Sequence, residues 1–195
     1  MTTLENINLT GHFLIAMPAV TDPFFSKSVT FICTHNQDGA MGIMINRPTD
    51  ITFETLFEKI NVELLNLAVA DQPVLYGGPV QPERGFVLHE VTDGEWDSTV
   101  QIANNIALTT SKDILESVAI GSGPAKMLLT LGYAGWTAGQ LEQEIKQNAW
   151  LSVQANDTET LHEILYNTDY DRKLSATLAL LGVDPAMLSD IADHA

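Results

Sequence analysis

The stretch KMLLTL-GYAGW-TAGQLEQEIKQNA, residues 126–149, constrains the fold more than any other part of this chain. Its first six residues form a nearly unbroken apolar run, as a strand buried on both faces requires. Thr137 and Gln140 then have the spacing of a capping box. Trp136 before the cap and Leu141 after it have the spacing of a hydrophobic staple. Leu141, Ile145 and Ala149 fall on one helical stripe, and Glu142 stands four residues ahead of Lys146 in the favourable order for an ion pair. The segment therefore reads as a central strand, a turn at GYAGW, and a helix packed back on the sheet.

Upstream, most signals are for strands. GHFLIAM (11–17) is a first strand. SVTFIC (28–33) and AMGIMIN (40–46) flank the turn cluster HNQDG (35–39) and predict a hairpin, which Pro48 ends because it cannot donate to a ladder. Phe53, Leu56, Phe57 and Ile60 predict a short helix over 52–60. PVLYGGPV (73–80) is a strand interrupted by Gly77-Gly78-Pro79, and GFVLHEV (85–91) is another. TVQIA and IALT, joined by Asn104-Asn105, predict a tight hairpin, because Asn tolerates left-handed backbone. Thr110 and Asp113 are a candidate capping pair for a helix carrying Ile114, Leu115 and Val118. Helices are expected over about 158–166 after Asp157 and over about 170–181, where Leu174, Leu178 and Leu181 form a stripe and Gly182 the stop. Pro185 opens a last short helix.

Strands come first, then a mixture, then helices. This order favours an α/β to α+β domain with a mixed sheet over a doubly wound one. The 195 residues, 45% hydrophobic and 17% charged, suit a single domain over 1–195, with a small helical C-terminal lobe from about 152. The apolar runs are too short for a membrane span, the N-terminus lacks a basic leader region, and the lone Cys33 forms no internal disulfide. A cytoplasmic location is expected.

The net charge is −16, from 9 Lys+Arg against 25 Asp+Glu. A DNA-binding protein gathers cations against phosphate. Here they are scattered, and Arg172-Lys173 lies beside Asp169 and Asp171. Direct contact with nucleic acid or an anionic membrane is disfavoured.

Three places could carry chemistry. Cys33 and His35 are two apart, so on a continuing strand they project to one side, and a histidine can activate a thiol. The plainer reading is a core cysteine beside a turn histidine. The segment LYGGPVQPERGF (75–86) offers the backbone N–H groups of Gly77 and Gly78 with the cation of Arg84, an arrangement that can cradle an anion, although Gly-Gly-Pro is also simply a turn. The GYAGWTAG turn, opening with Gly132, precedes a helix N-terminus, where anions are attracted, although a cap already serves those N–H groups. Trp136 and Trp150 are core anchors or the lining of a binding face. The histidines at 12, 35, 89, 162 and 194 lack metal-ligand spacing, so no metal and no cofactor is expected.

Taken together, GHFLIAMPAVTDPFFSKSV, THNQDGAMGIMINRP, GGPVQPERGFVLH, TTSKDIL and LGYAGWTAGQLEQEIKQNAWL resemble the YqgE/AlgH family of small bacterial proteins, in order from about residue 11 to 151. The family pattern usually has Glu where this chain has Thr34. The resemblance implies a bent sheet folded partly into a barrel and flanked by helices. Members carry a label of transcriptional regulator, but no catalytic or DNA-contacting residue is carried over with it. The expectation is a regulator that acts indirectly, through a protein partner or a small anionic ligand. The alternative is an enzyme using Cys33 and His35 or the glycine-rich anion site. If a site exists, it is expected where Asn46, Arg47, Gly77, Gly78, Arg84 and the Gly132–Trp136 turn meet.

Overall fold

The computed structural model describes residues 7–184 and 186. Ten strands form one curled sheet. They are β1 (Phe13–Ala16), β2 (Val29–Asn36), β3 (Gly39–Met44), β4 (Pro48–Thr52), β5 (Pro73–Tyr76), β6 (Val80–Glu90), β7 (Thr99–Ala103), β8 (Ile106–Thr109), β9 (Met127–Thr137) and β10 (Trp150–Val153). The path runs β10-β1-β2-β3-β9-β6-β8-β7, with β4 and β5 branching from β9. Every pairing is antiparallel except β5 with β9. The sheet curls into a half-barrel. Among the described residues, five short α-helices flank it: α1 (Phe53–Lys59), α2 (Asp113–Ala119), α3 (Gln140–Lys146), α4 (Thr158–His162) and α5 (Lys173–Ala179).

The apolar run at 126–131 is the central strand, but GYAGW does not turn the chain. β9 continues to Thr137, pairing β6 along its first half and β3 along its second. Gly132 makes this possible. It sits at φ +77, and a Cβ there would stand 2.2 Å from the Gly78 carbonyl oxygen. Its left-handed backbone twists the strand so that the facing of the side chains reverses. Before it, Leu128 enters the inner cluster and Leu129 the outer one. After it, Tyr133 packs on the inner cluster while Ala134 and Trp136 face out.

One strand thereby joins three apolar clusters. The inner one fills the half-barrel with Phe13, Phe31, Ile43, Phe86 and Leu128. Leu161, Ile164, Leu165 and Leu178 from the C-terminal helical region complete it. Helices α1 and α2 cover the outer face through Phe53, Phe57, Ile114 and Val118. Helix α3 covers the other end through Leu141, against Trp136 and Trp150. The two indoles meet edge to face at 5.8 Å, and both donate to Glu144 Oε2, at 2.8 and 3.1 Å. They are core anchors, as edge-to-face packing with satisfied N–H groups implies.

Several local expectations hold. Asn104 and Asn105 take φ +53 and +63 in the β7–β8 turn. Asp157 caps α4 by accepting from the Thr160 N–H at 2.7 Å. Gly182 ends the last described helix at φ +70, with the Val183 N–H returning to the Leu178 carbonyl at 3.2 Å. Others are corrected. Only half the capping box forms: Gln140 Oε1 accepts from the Thr137 N–H at 2.9 Å, while Gly139 is the residue that starts α3. Thr110 does not cap α2. Instead, Asp113 accepts from Ser111 Oγ at 2.5 Å and from the Asp97 N–H at 2.8 Å. Pro48 opens β4 rather than ending a strand, a position where its missing N–H costs nothing. α4 continues into a π-helical turn at Glu163–Asn167. Leu181 leaves its stripe for solvent, at 47% exposure. The helix expected from Pro185 lies outside the described residues, except for Ala186.

Candidate functional site

The Cys33–His35 pairing is overturned by a β-bulge. The β2–β3 register shifts between Ile32 and Thr34: Ile32 faces Gly42, but Thr34 faces Met41. The extra residue breaks the two-residue alternation that would place Cys33 and His35 on one side. Cys33 points into the half-barrel with Phe31 and Val29. His35 lies on the opposite side, beside Leu9 and α3. Its Nδ1 accepts from the Leu9 N–H at 3.0 Å, which places the ring proton on Nε2, and Nε2 donates to Glu142 Oε1. Glu142 thus serves His35, not Lys146. Among the described residues the thiol's one hydrogen-bond partner is the Phe31 carbonyl, at 3.8 Å, and burial pushes the thiol pKa up to about 12. A thiol so placed is not a nucleophile at neutral pH.

The glycine-rich elements do meet, but as packed backbone. The Gly77 N–H donates to the Leu131 carbonyl at 2.8 Å, and the Gly77 carbonyl accepts from Met44 N–H at 2.9 Å. A Cβ on Gly78 would lie 2.0 Å from the Tyr133 backbone. These glycines let β5, β6 and β9 cross at close range, and the Gly77 N–H is not available to an anion. Asn46 and Arg47 are likewise occupied. Asn46 accepts from the Val29 N–H at 2.9 Å and donates to the Lys27 carbonyl at 3.0 Å. Arg47 donates to the carbonyls of Pro23, Phe24 and Ser26. Together they clasp the loop between β1 and β2. Trp136 is held in the core with Glu144 as its partner.

Arg84 is the candidate that faces open space. The half-barrel is left open between its free edge strand, β7, and the β2–β3 hairpin. The opening is a cleft of about 770 Å³, a size that takes a small molecule. Phe86, Leu108, Met41, Ile102 and Tyr133 line it, and Cys33 also borders it. Arg84 stands in its lining, with its guanidinium 5.6 Å over the Phe86 ring and Nη1 3.3 Å from Gln81 Oε1. Gln81 itself takes φ +47, within the four-residue interruption of the β6–β9 register between Val80 and Gly85. Sequence reasoning missed Met41, Phe86 and Ile102 as cleft residues, whereas Tyr133 and Trp136, both in the Gly132–Trp136 stretch it singled out, border the cleft. The alternation of Val100 and Ile102 on β7 was the available signal, but nothing local says that β7 ends the sheet.

The comparisons with known proteins bear on this geometry. A family model described as AlgH-like matches residues 13–186. The chain belongs to the AlgH-like family. Among its relatives, the UPF0301 protein RSc0675 of Ralstonia nicotianae is 53% identical over 189 residues, covering 97% of this chain and 96% of that one. The solution structure of the AlgH protein from Pseudomonas aeruginosa aligns with a TM-score of 0.78 at 40% identity, covering 97% of both chains. The structure of protein DIP2367 from Corynebacterium diphtheriae aligns with a TM-score of 0.60 at 24% identity over 77% of this chain, a likeness of fold. The AlgH-like half-barrel, with its helices, is therefore the frame that holds the cleft. No helix among the described residues is long and apolar enough to cross a membrane.

Proposed function

We propose that this AlgH-like chain is a small-ligand-binding protein whose site is the cleft between β7 and the β2–β3 hairpin. We propose further that it acts in gene regulation through that ligand, or a protein partner responsive to it, rather than by touching DNA. The observation that carries the reading is the cleft itself, an apolar hollow of about 770 Å³ with a charged side chain in its lining. Apolar walls with a few convergent polar groups are the usual make-up of a small-molecule site. The charge balance supports an indirect mode of action. Of the nine cations, Lys173 is buried at 1% exposure and Arg47 is held by three carbonyls. What remains is a small cationic complement against 25 acidic residues.

A thermal-shift screen against common metabolites tests this, run in parallel on Val100→Trp. Val100 lies in the cleft lining and is 58% exposed, so an indole there obstructs the hollow without entering the core. A ligand at about one hundred times its Kd stabilises by about 2.7 kcal/mol. In a chain this size that raises Tm by roughly 5–10 °C. Hits that stabilise the parent but not the variant support the site. Hits that stabilise both equally place binding elsewhere. Tight, salt-sensitive filter binding of DNA at low ionic strength would overturn the indirect mode.

A further inference from the structure

We infer that the cleft selects an amphipathic monocarboxylate, with its carboxylate on Arg84 and its apolar body against Met41, Ile102 and Tyr133. This rests on the cleft being a ligand site and adds the chemical class of the ligand. Among the described residues, Arg84 is the only cation in the lining and has no carboxylate within ion-pair distance. Its neighbours leave its donor fork available. Gln81 takes one N–H at 3.3 Å, and the Phe86 face lies beneath the guanidinium. A planar fork with spare donors matches a planar carboxylate bidentately. Stacking on Phe86 holds that fork over the apolar wall, so a head group bound there directs its tail inward.

The same lining argues against other anions. A phosphate or polyphosphate carries two or more charges and is ordinarily met by several donors or cations. Here a single arginine is accompanied by Asp38, whose carboxylate opposes excess negative charge. Beyond the rim, the partly buried Met41, Ile102 and Tyr133 and the 58% exposed Val100 present apolar surface, backed by Phe86, on which Tyr133 packs edge-on at 5.6 Å. A wholly polar metabolite would leave that surface wet. An alkyl or aryl chain covers it.

Uniformly labelled chain is titrated with octanoate, octanol and octylamine while backbone amide shifts are followed by NMR. The expected result is shifts at Tyr133, Gly135 and Met41, with octanoate bound about ten- to one-hundred-fold tighter than octanol, the range of a charge-assisted hydrogen bond. Arg84→Gln, at an exposed side chain, should collapse that ratio to near one and leave octanol affinity unchanged. Octanoate and octanol binding alike, octylamine binding tightest, or a ratio untouched by Arg84→Gln would each overturn the carboxylate assignment while keeping the cleft as a site. Failure of all three probes to shift cleft amides, or shifts centred on exposed Leu65, Leu67 and Ile120, would overturn the cleft and the assignment together.

Discussion

Replacing Glu142 with Ala should destabilise the fold through one buried proton. His35 is 4% exposed, and its Nδ1 already accepts from the Leu9 N–H, so its other nitrogen carries a hydrogen that, among the described residues, Glu142 alone receives. Removing that acceptor leaves a buried N–H without a partner, at a cost of about 1–3 kcal/mol. Glu142 is itself 15% exposed at its side chain, so water offsets part of the loss, and about 2 kcal/mol is the working figure. For a chain of this length that corresponds to a Tm lower by roughly 4–8 °C. Glu142→Gln keeps an oxygen in place and should lose less than about 1 kcal/mol. Scanning calorimetry at pH 7 reads both variants. If Glu142→Ala melts with the parent, or Glu142→Gln is as damaged as Glu142→Ala, then the histidine does not depend on this acceptor and the clasp between β2 and α3 is wrongly read.

Burial lowers the Lys173 amine from 10.5 to about 7, so above pH 7 the folded chain holds it neutral while the unfolded chain still binds the proton. Stability from this group therefore rises with pH between about 7 and 10, and the parent should gain about 2–3 kcal/mol relative to Lys173→Met from pH 7 to 9.5; parallel urea midpoints across that range would refute it. Cys33 should react with iodoacetamide at pH 8 only after unfolding, and rapid alkylation of the native chain would contradict its burial. Gly78→Ala, at φ +155 with no room for a Cβ, should cost more than about 3 kcal/mol and lower the yield of folded protein; a parent-like melting temperature would show that the strand crossing can relax.

Much of the scaffold was legible because its signals are local. Alternation in 28–33, the Asn104-Asn105 turn, the Asp157 cap and the Gly182 stop each depend on a few neighbouring residues. What was not legible depends on register. Gly132 looks like turn punctuation, yet its positive φ is used to carry a strand onward with its faces exchanged. The bulge at Ile32–Thr34 leaves no mark in the sequence, and it separates Cys33 from His35. Glu142 has a plausible helical partner in Lys146, but a buried histidine 107 residues away takes it instead. Trp150 starts β10 directly after a helical stripe, so its pairing with β1 is a tertiary effect. Of the expected site residues, Gly77, Gly78 and Gly132 do converge, as backbone contacts, and Asn46 and Arg47 secure a loop. Arg84 alone reaches the cleft as a free charge, because the sheet's curvature, not any motif, creates that opening.

The central claim is that the hollow of the half-barrel holds a small molecule. Intermolecular NOEs between a hit from the metabolite screen and methyl-labelled chain test it most directly. The account predicts contacts to the methyls of Met41, Ile102 and Leu108, lost in Val100→Trp. Contacts confined to Leu65, Leu67 and Ile120 on the outer surface would contradict it.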